Sequence, residues 1–178
     1  MPKPLHIARP HIAVLGAGLI GLSTADALAA RGVRVTVIDA RPGPCEGTSF
    51  ANSGMIHPSQ ARSWAAGETE RDAARVAAQA VADLGRKSRT ALHQNMARLK
   101  LTAATSRTPG CIQIYETLEL ARSAQQDFED LGVKADIAIH DETTFGKSAC
   151  IFPEDSSANA HDYGVALAAD LARRGVTF

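Results

Sequence analysis

Short apolar runs with β-branched residues alternate with helix-period segments along this chain. His11 to Leu15 forms the first run. Leu19 to Arg31 then reads as a helix, with Ile20, Thr24 and Leu28 along one face, Ala25 and Ala29 beside them, and Gly32 as its stop. Val33, Val35, Val37 and Ile38 form a second run of the kind that a buried parallel strand requires. The pattern predicts a βαβ unit at the head of the chain.

Beyond it, the stretch from Arg41 to Pro58 is rich in proline, glycine and small hydroxyl residues, which excludes a helix directly after the second strand. Two helices are expected next, Glu68 to Leu84 and Arg86 to Lys100, separated or kinked at Gly85. Ala73, Val76, Ala77, Ala80, Val81 and Leu84 form the apolar face of the first, and Ala91, Leu92, Met96 and Leu99 that of the second. A strand follows at Cys111 to Tyr115, with Ile112 and Ile114 on one side. Then come a helix at Thr117 to Leu131, a strand at Ile137 to Ile139, and another at Cys150 to Phe152 ended by Pro153. Asn159 is placed to cap a last helix, Ala160 to Arg174, with Tyr163, Leu167 and Leu171 on one face. Val176 to Phe178 opens a further strand. This order divides the chain into a nucleotide-binding portion, residues 1–60 and 155–178, and an α+β excursion over 61–154.

The turn between the first strand and helix carries Gly16-Ala17-Gly18-Leu19-Ile20-Gly21, glycines at the spacing that cradles a pyrophosphate. Gly16 permits the tight turn, Gly18 the close approach of phosphate to backbone, and Gly21 the close packing of helix on strand. The first-turn amides and the helix dipole favour an anion. Asp39 ends the second strand, where a carboxylate accepts the ribose hydroxyls and repels a 2′-phosphate. The unit therefore suits NAD or FAD over NADP, and the long loop after Asp39 favours FAD over NAD. An ordinary βαβ turn and an ordinary solvated loop stand as the alternatives.

Composition narrows the partners. The 178 residues carry zero formal net charge and are 45% hydrophobic, enough for a substantial core, and no basic patch interleaved with aromatics invites nucleic acid. Cys45, Cys111 and Cys150 are odd in number and far apart, as in a reduced cytosolic protein. The six histidines show no paired ligand spacing, so no metal is expected. No run reaches membrane-span length, and Met1 to Pro10 lacks a signal-peptide core. The expected location is the cytoplasm, with peripheral association at the inner membrane face as an option.

Taken in order, these segments resemble the N-terminal part of the FAD-dependent D-amino acid oxidase superfamily, and most of all bacterial D-amino acid dehydrogenases. The matching residues are Val14 to Ala25, Val35 to Asp39, Thr48-Ser49-Phe50-Ala51-Asn52-Ser53-Gly54-Met55-Ile56, Trp64 to Gly67, Gly110 to Tyr115, Phe152 to Asp155 and Gly175 to Phe178. The Thr48 to Gly54 stretch is the most specific. The resemblance implies an α/β fold: a Rossmann-type FAD-binding domain with a glutathione-reductase-like parallel sheet and a partial α+β substrate excursion, truncated. It implies FAD contacts from Gly16, Ala17, Gly18, Leu19, Ile20, Gly21, Asp39, Ala40 and Arg41, and from Thr48, Ser49, Asn52, Gly54 and Met55. It also implies oxidation of an amino acid Cα–N bond to an imine by hydride transfer to the flavin, with hydrolysis to a 2-oxo acid and a quinone as electron acceptor.

Members of that superfamily are about twice as long. Relative to them, this chain is expected to be shortened between Trp64 and Thr90 and between Phe145 and Cys150, and to lack the portion beyond Phe178. Arg62, Arg89 and Arg107 read as surface residues and His57 as a solvated loop histidine, so no catalytic residue is assigned. Three functions compete: an FAD-dependent amino acid dehydrogenase or oxidase, a dinucleotide-binding remnant or subunit of a split flavoenzyme, and an NAD-dependent enzyme. A half-built flavin site predicts a second subunit or self-association.

Overall fold

The computed structural model describes residues 10–57, 71–101, 108–139 and 148–178. It packs as two units, one of Met1–Gly54, Leu99–Leu101 and Asn159–Phe178, the other of Met55–Arg98 and Thr102–Ala158. The architecture is α/β.

The first unit is built on β1 (His11–Leu15), α1 (Leu19–Ala30) and β2 (Arg34–Ile38), closed by α4 (Ala160–Arg173). β1 and β2 run parallel, in register from His11 opposite Arg34 to Leu15 opposite Ile38. A crossover helix between parallel strands is the arrangement that the alternating pattern demands. The chain then returns along α4 and sets Thr177 beside Thr36 as the start of a third parallel position. There the Thr177 amide donates to the Val35 carbonyl, and the Val37 amide donates to the Thr177 carbonyl.

One face of this sheet holds the core. Val14, Val35 and Val37 are buried with Leu22 and Ala25 of α1 and with Tyr163, Leu167 and Leu171 of α4. The other face is open, leaving Leu15 79% and Ile38 51% exposed. A parallel sheet is ordinarily covered on both faces. Asn159 caps α4, its side-chain oxygen accepting from the Asp162 amide. Arg174, just beyond α4, donates to both Asp26 of α1 and Asp170, and these carboxylates raise its pKa.

The expected face of α1 is corrected. Ile20 is 86% exposed, and Thr24 is exposed with its hydroxyl bonded to the Ile20 carbonyl, while Leu22 and Ala25 are buried. The helix is apolar nearly all round, so periodicity carried no direction. Close packing at Gly21 turned the Leu22 side inward: a Cβ there would overlap the Gly16 carbonyl oxygen.

The second unit is an antiparallel sheet with two helices. β6 (Ser148–Ser157) is its centre, pairing β4 (Thr108–Tyr115) along one edge and both β3 (Met55–Ile56) and β5 (Asp136–Ile139) along the other. Ser148, Ala149 and Cys150 are therefore all buried, on both faces. The strand does not stop at Pro153. Pairing with β4 jumps from Cys111–Phe152 to Pro109–Ser156, so Pro153 falls opposite a bulge at Gly110 (φ +83°) where no ladder amide is required.

A single 28-residue helix, α2 (Arg71–Arg98), replaces the two expected, and Gly85 does not break it. Its inward side carries Ala78, Ala82 and Met96, whereas Val76, Val81 and Leu84 are exposed. α3 (Leu118–Asp130) is capped by the Thr117 hydroxyl, which accepts from the Leu120 amide. Phe128 of α3 meets Phe152 of β6 edge-on, centroids 4.8 Å apart, at the centre of a core with Leu131, Val133 and Cys150. Ile112 and Ile114 share a strand side as expected, but that side is the exposed one. Cys111 and Tyr115 face the core.

One contact in the first unit is tight enough to test. A Cβ on Gly164 of α4 would overlap the Cys45 sulfur and lie 3.2 Å from Leu19 Cδ2. Gly164→Ala should cost about 1–3 kcal/mol in urea unfolding through overpacking. With Cys45→Ala added, the combined loss should be smaller than the sum of the two single losses, because the overlapping sulfur is gone.

Candidate functional site

The candidate site lies within the first unit, where β1 turns into α1. Gly16 takes φ +103°, a left-handed value that side chains resist. Its amide donates to the Ile38 carbonyl at 2.7 Å, tying the turn to the end of β2. The peptide of Ala17 is held from both sides. Its amide donates to Asp39 Oδ2 at 2.7 Å, and its carbonyl accepts from the Cys45 amide at 2.9 Å.

Asp39 is exposed but firmly engaged, with Oδ1 accepting from the Arg41 amide at 2.9 Å. The Ala17 amide first, and the Arg41 amide second, hold its carboxyl below the ordinary value of 3.8. Gly18 is the residue before α1 and offers no capping side chain. Instead the Ser49 hydroxyl, from the loop after β2, accepts from the Leu19 amide at 3.2 Å. The next amides, of Ile20 and Gly21, belong to the uncapped first turn that attracts anions.

Cys45 fixes the shape of that loop. It is buried at φ +62°, unusual for a residue with a side chain, and its sulfur sits 3.6 Å from the Ala17 carbonyl. Burial raises its thiol pKa, so it serves as a packed structural group and not as a nucleophile. Sequence reasoning missed this role, and the one signal for it was position, a lone cysteine amid prolines and glycines. An open cleft of about 450 Å³ runs from Ala17 and Asp39 past Arg41 to Val165, Ala168 and Phe178.

Of the residues that the sequence singled out, Gly16, Ala17, Gly18, Leu19, Ile20, Gly21, Asp39, Ala40, Arg41 and Ser49 gather around this turn. Asn52 bonds its own loop, its Oδ1 accepting from the Gly54 amide at 2.8 Å. Thr48 is exposed on the same loop. Met55 lies in β3 of the second unit, 53% exposed and opposite Ser157. His57 is corrected: its ring is only 13% exposed and meets Asp155 at 3.2 Å. Arg89 is likewise engaged, with the Glu154 carbonyl at 2.8 Å and the Glu154 carboxylate at 2.9 Å. Arg62, Arg107 and Trp64 lie outside the described residues.

A family model described as DAO, FAD dependent oxidoreductase, matches residues 11–178. The chain belongs to the DAO family. A 54-residue segment is 52% identical to the D-amino acid dehydrogenase of Rhodopseudomonas palustris (strain HaA2), covering 30% of this chain and 13% of that protein. A 45-residue segment is 56% identical to D-amino acid dehydrogenase 2 of Ralstonia nicotianae (strain ATCC BAA-1114 / GMI1000), covering 25% and 11%. Among solved structures, glycine oxidase from Bacillus cereus ATCC 14579 matches at TM-score 0.69 and 20% identity, over 96% of this chain and 45% of that one. L-amino acid deaminase from Proteus vulgaris matches at 0.68 and 16%, over 99% and 40%. The chain thus spans less than half the length of these two solved relatives.

The turn fits the diphosphate group that this family's cofactor carries. A Cβ on Gly18 would come within 3.3 Å of the Ser49 hydroxyl, so glycine there leaves room for that side chain against the turn. Ile20 and Gly21 offer amides, and Asp39, already aligned by Ala17 and Arg41, keeps lone pairs for a diol. Among the described residues no helix is long and apolar enough to cross a membrane.

Asp39 also has a consequence for stability. A folded-state pKa below the unfolded value contributes stability that is present above the unfolded value and lost as pH falls through the folded one. Wild type should therefore resist urea better than Asp39→Asn near neutral pH. That gap should close as pH falls below the ordinary carboxylate value of 3.8. A gap that persists under strong acid would mean that the Ala17 and Arg41 amides do not depend on the charge.

Proposed function

We propose that this chain holds FAD at the β1–α1 turn and supplies the dinucleotide-binding part of an amino acid oxidoreductase. The carrying observation is the bond from the Ala17 amide to Asp39 Oδ2. It sets a charged acceptor for ribose hydroxyls beside a helix start whose N-cap residue has no side chain and where Ser49 holds only the Leu19 amide. In this reading Gly16 to Gly21 hold the diphosphate, Asp39 with Ala40 and Arg41 the adenosine end, and Thr48, Ser49, Asn52, Gly54 and Met55 line the path toward the flavin ring. FAD, when bound, would supply the redox chemistry as acceptor of the hydride that leaves the substrate Cα–H bond as the amine becomes an imine. The protein's own task is to grip, orient and shield.

In this reading the first unit takes the dinucleotide role and the second the substrate side, the second starting at Met55 and ending at Ala158 where residues 61 and 154 were expected. D-amino acids are the proposed substrates and a quinone the proposed acceptor. The support is the identity to segments of two D-amino acid dehydrogenases. The open sheet face bearing Leu15 and Ile38 favours a second reading, in which a partner subunit or a second copy completes the enzyme.

Titration of the purified full chain with FAD should quench flavin fluorescence at one site per chain. Asp39→Ala should weaken that binding about tenfold, the worth of a hydrogen bond to a charged group. The bound flavin should lose its visible band under anaerobic D-alanine, and L-alanine should act more slowly. Absence of FAD binding, together with binding of NADH, would overturn the assignment. Tight FAD binding without bleaching by any amino acid would support the partnered reading.

A further inference from the structure

A second cluster of reactive side chains lies wholly within the second unit, apart from the nucleotide turn. His57 directly follows β3, Cys111 sits on β4 and Asp155 on β6. One ligating atom from each lies within 4.8 Å of the other two. Sequence spacing could not reveal the group, because its members are 54 and 44 residues apart. The sheet assembles it. β3 pairs β6 with Ile56 opposite Ser156, so the next step along both strands brings His57 to Asp155. The bulge between Pro109 and Cys111 swings Cys111 toward the same place.

We propose that His57, Cys111 and Asp155 form a site for a borderline-soft divalent cation, Zn(II) fitting best, with the fourth position left to water. The donor set is one imidazole nitrogen, one sulfur and one carboxylate oxygen, all ligands that zinc uses, whereas calcium and magnesium take oxygen donors alone. The spacing suits it. Nitrogen and oxygen ligands on one tetrahedral zinc stand about 3.3 Å apart, given bonds of about 2.0–2.1 Å. His57 Nδ1 and Asp155 Oδ2 are 3.2 Å apart. The Cys111 sulfur lies within 4.8 Å of both, against an edge of about 3.6 Å on a tetrahedral zinc, so it must draw in for the metal to bind.

Burial points the same way. Asp155 is 2% exposed and the His57 ring 13%. A cation held between them on Nδ1 and Oδ2 would sit among desolvated groups, at the place where the sheet is weakest. β3 has only two residues, and the β4–β6 ladder is interrupted at the bulge. A metal joining all three strands would act as a clip across the sheet.

The test is metal binding by the full chain, with no reliance on enzyme activity. Zn(II) titration should give one site per chain and a higher unfolding temperature. Co(II) in its place should give a thiolate-to-metal charge-transfer band with the intensity of tetrahedral coordination. Cys111→Ser and His57→Gln should each weaken binding roughly a hundredfold, at or above the upper end of the ten- to hundredfold that outer-sphere partners are worth. A measurement on unaltered protein guards against variants that fail to fold: alkylation followed by peptide mapping should show zinc shielding Cys111 more than Cys45 or Cys150. Failure to bind zinc, shielding that spares Cys111, or undiminished binding by Cys111→Ser would each overturn the proposal.

Discussion

The peptide group of Ala17 is the point on which the first unit turns. Its amide is held by a carboxylate at the end of β2, and its carbonyl by an amide of the following loop. With the Gly16 amide bonded to Ile38, three hydrogen bonds join the glycine turn to the second strand and its continuation. Each is modest alone, worth about 0.5–1.5 kcal/mol, or somewhat more where the partner is charged. Together they leave the turn one shape. That shape leaves the Ile20 and Gly21 amides of the first helical turn for an anion, which is the condition for seating a diphosphate.

The parts of the fold legible in the sequence were those governed by backbone chemistry. Gly16 and Gly21 had steric reasons to be glycine, Asp39 had a strand end to occupy, and Asn159 had a helix start to cap. The parts that escaped depend on tertiary context. Alanine-rich α1 and α2 present apolar surface on several sides, so no period told which side would be inward. Gly85 costs a helix interior about 1 kcal/mol against alanine, a penalty that long-helix packing absorbs. Pro153 stops a strand only where its missing amide matters, and the bulge opposite it removes that need. Cys45 illustrates the limit most sharply. Nothing local marks a cysteine for a left-handed backbone; the space left by Gly164, more than a hundred positions later, makes the arrangement fit.

The two units also differ in how they use charge. In the first, Asp39 stays exposed and is stabilised by amides, so its charge remains available to a ligand. In the second, Asp155 is buried, and burial of a carboxylate is tolerated only where partners surround it. His57 supplies one partner, and the neighbouring thiol stays protonated, its pKa raised by burial and by Asp155 itself. A thiol held neutral in that way is a poor nucleophile.

This contrast explains why fold similarity reaches further than functional similarity here. Matches at 16–20% identity retain TM-scores near 0.7 across nearly the whole chain. A cofactor grip made from amides, a turn and one acid can survive that divergence, because most of its contacts do not depend on side-chain identity. Recognition of a substrate side chain cannot, because pocket lining changes with each substitution and a missing partner leaves a buried group unmet. Glycine oxidase and L-amino acid deaminase can therefore share this scaffold while their names announce different substrates. Likeness at this identity speaks for the scaffold alone, and substrate preference is left to the side chains that each protein adds to that common frame.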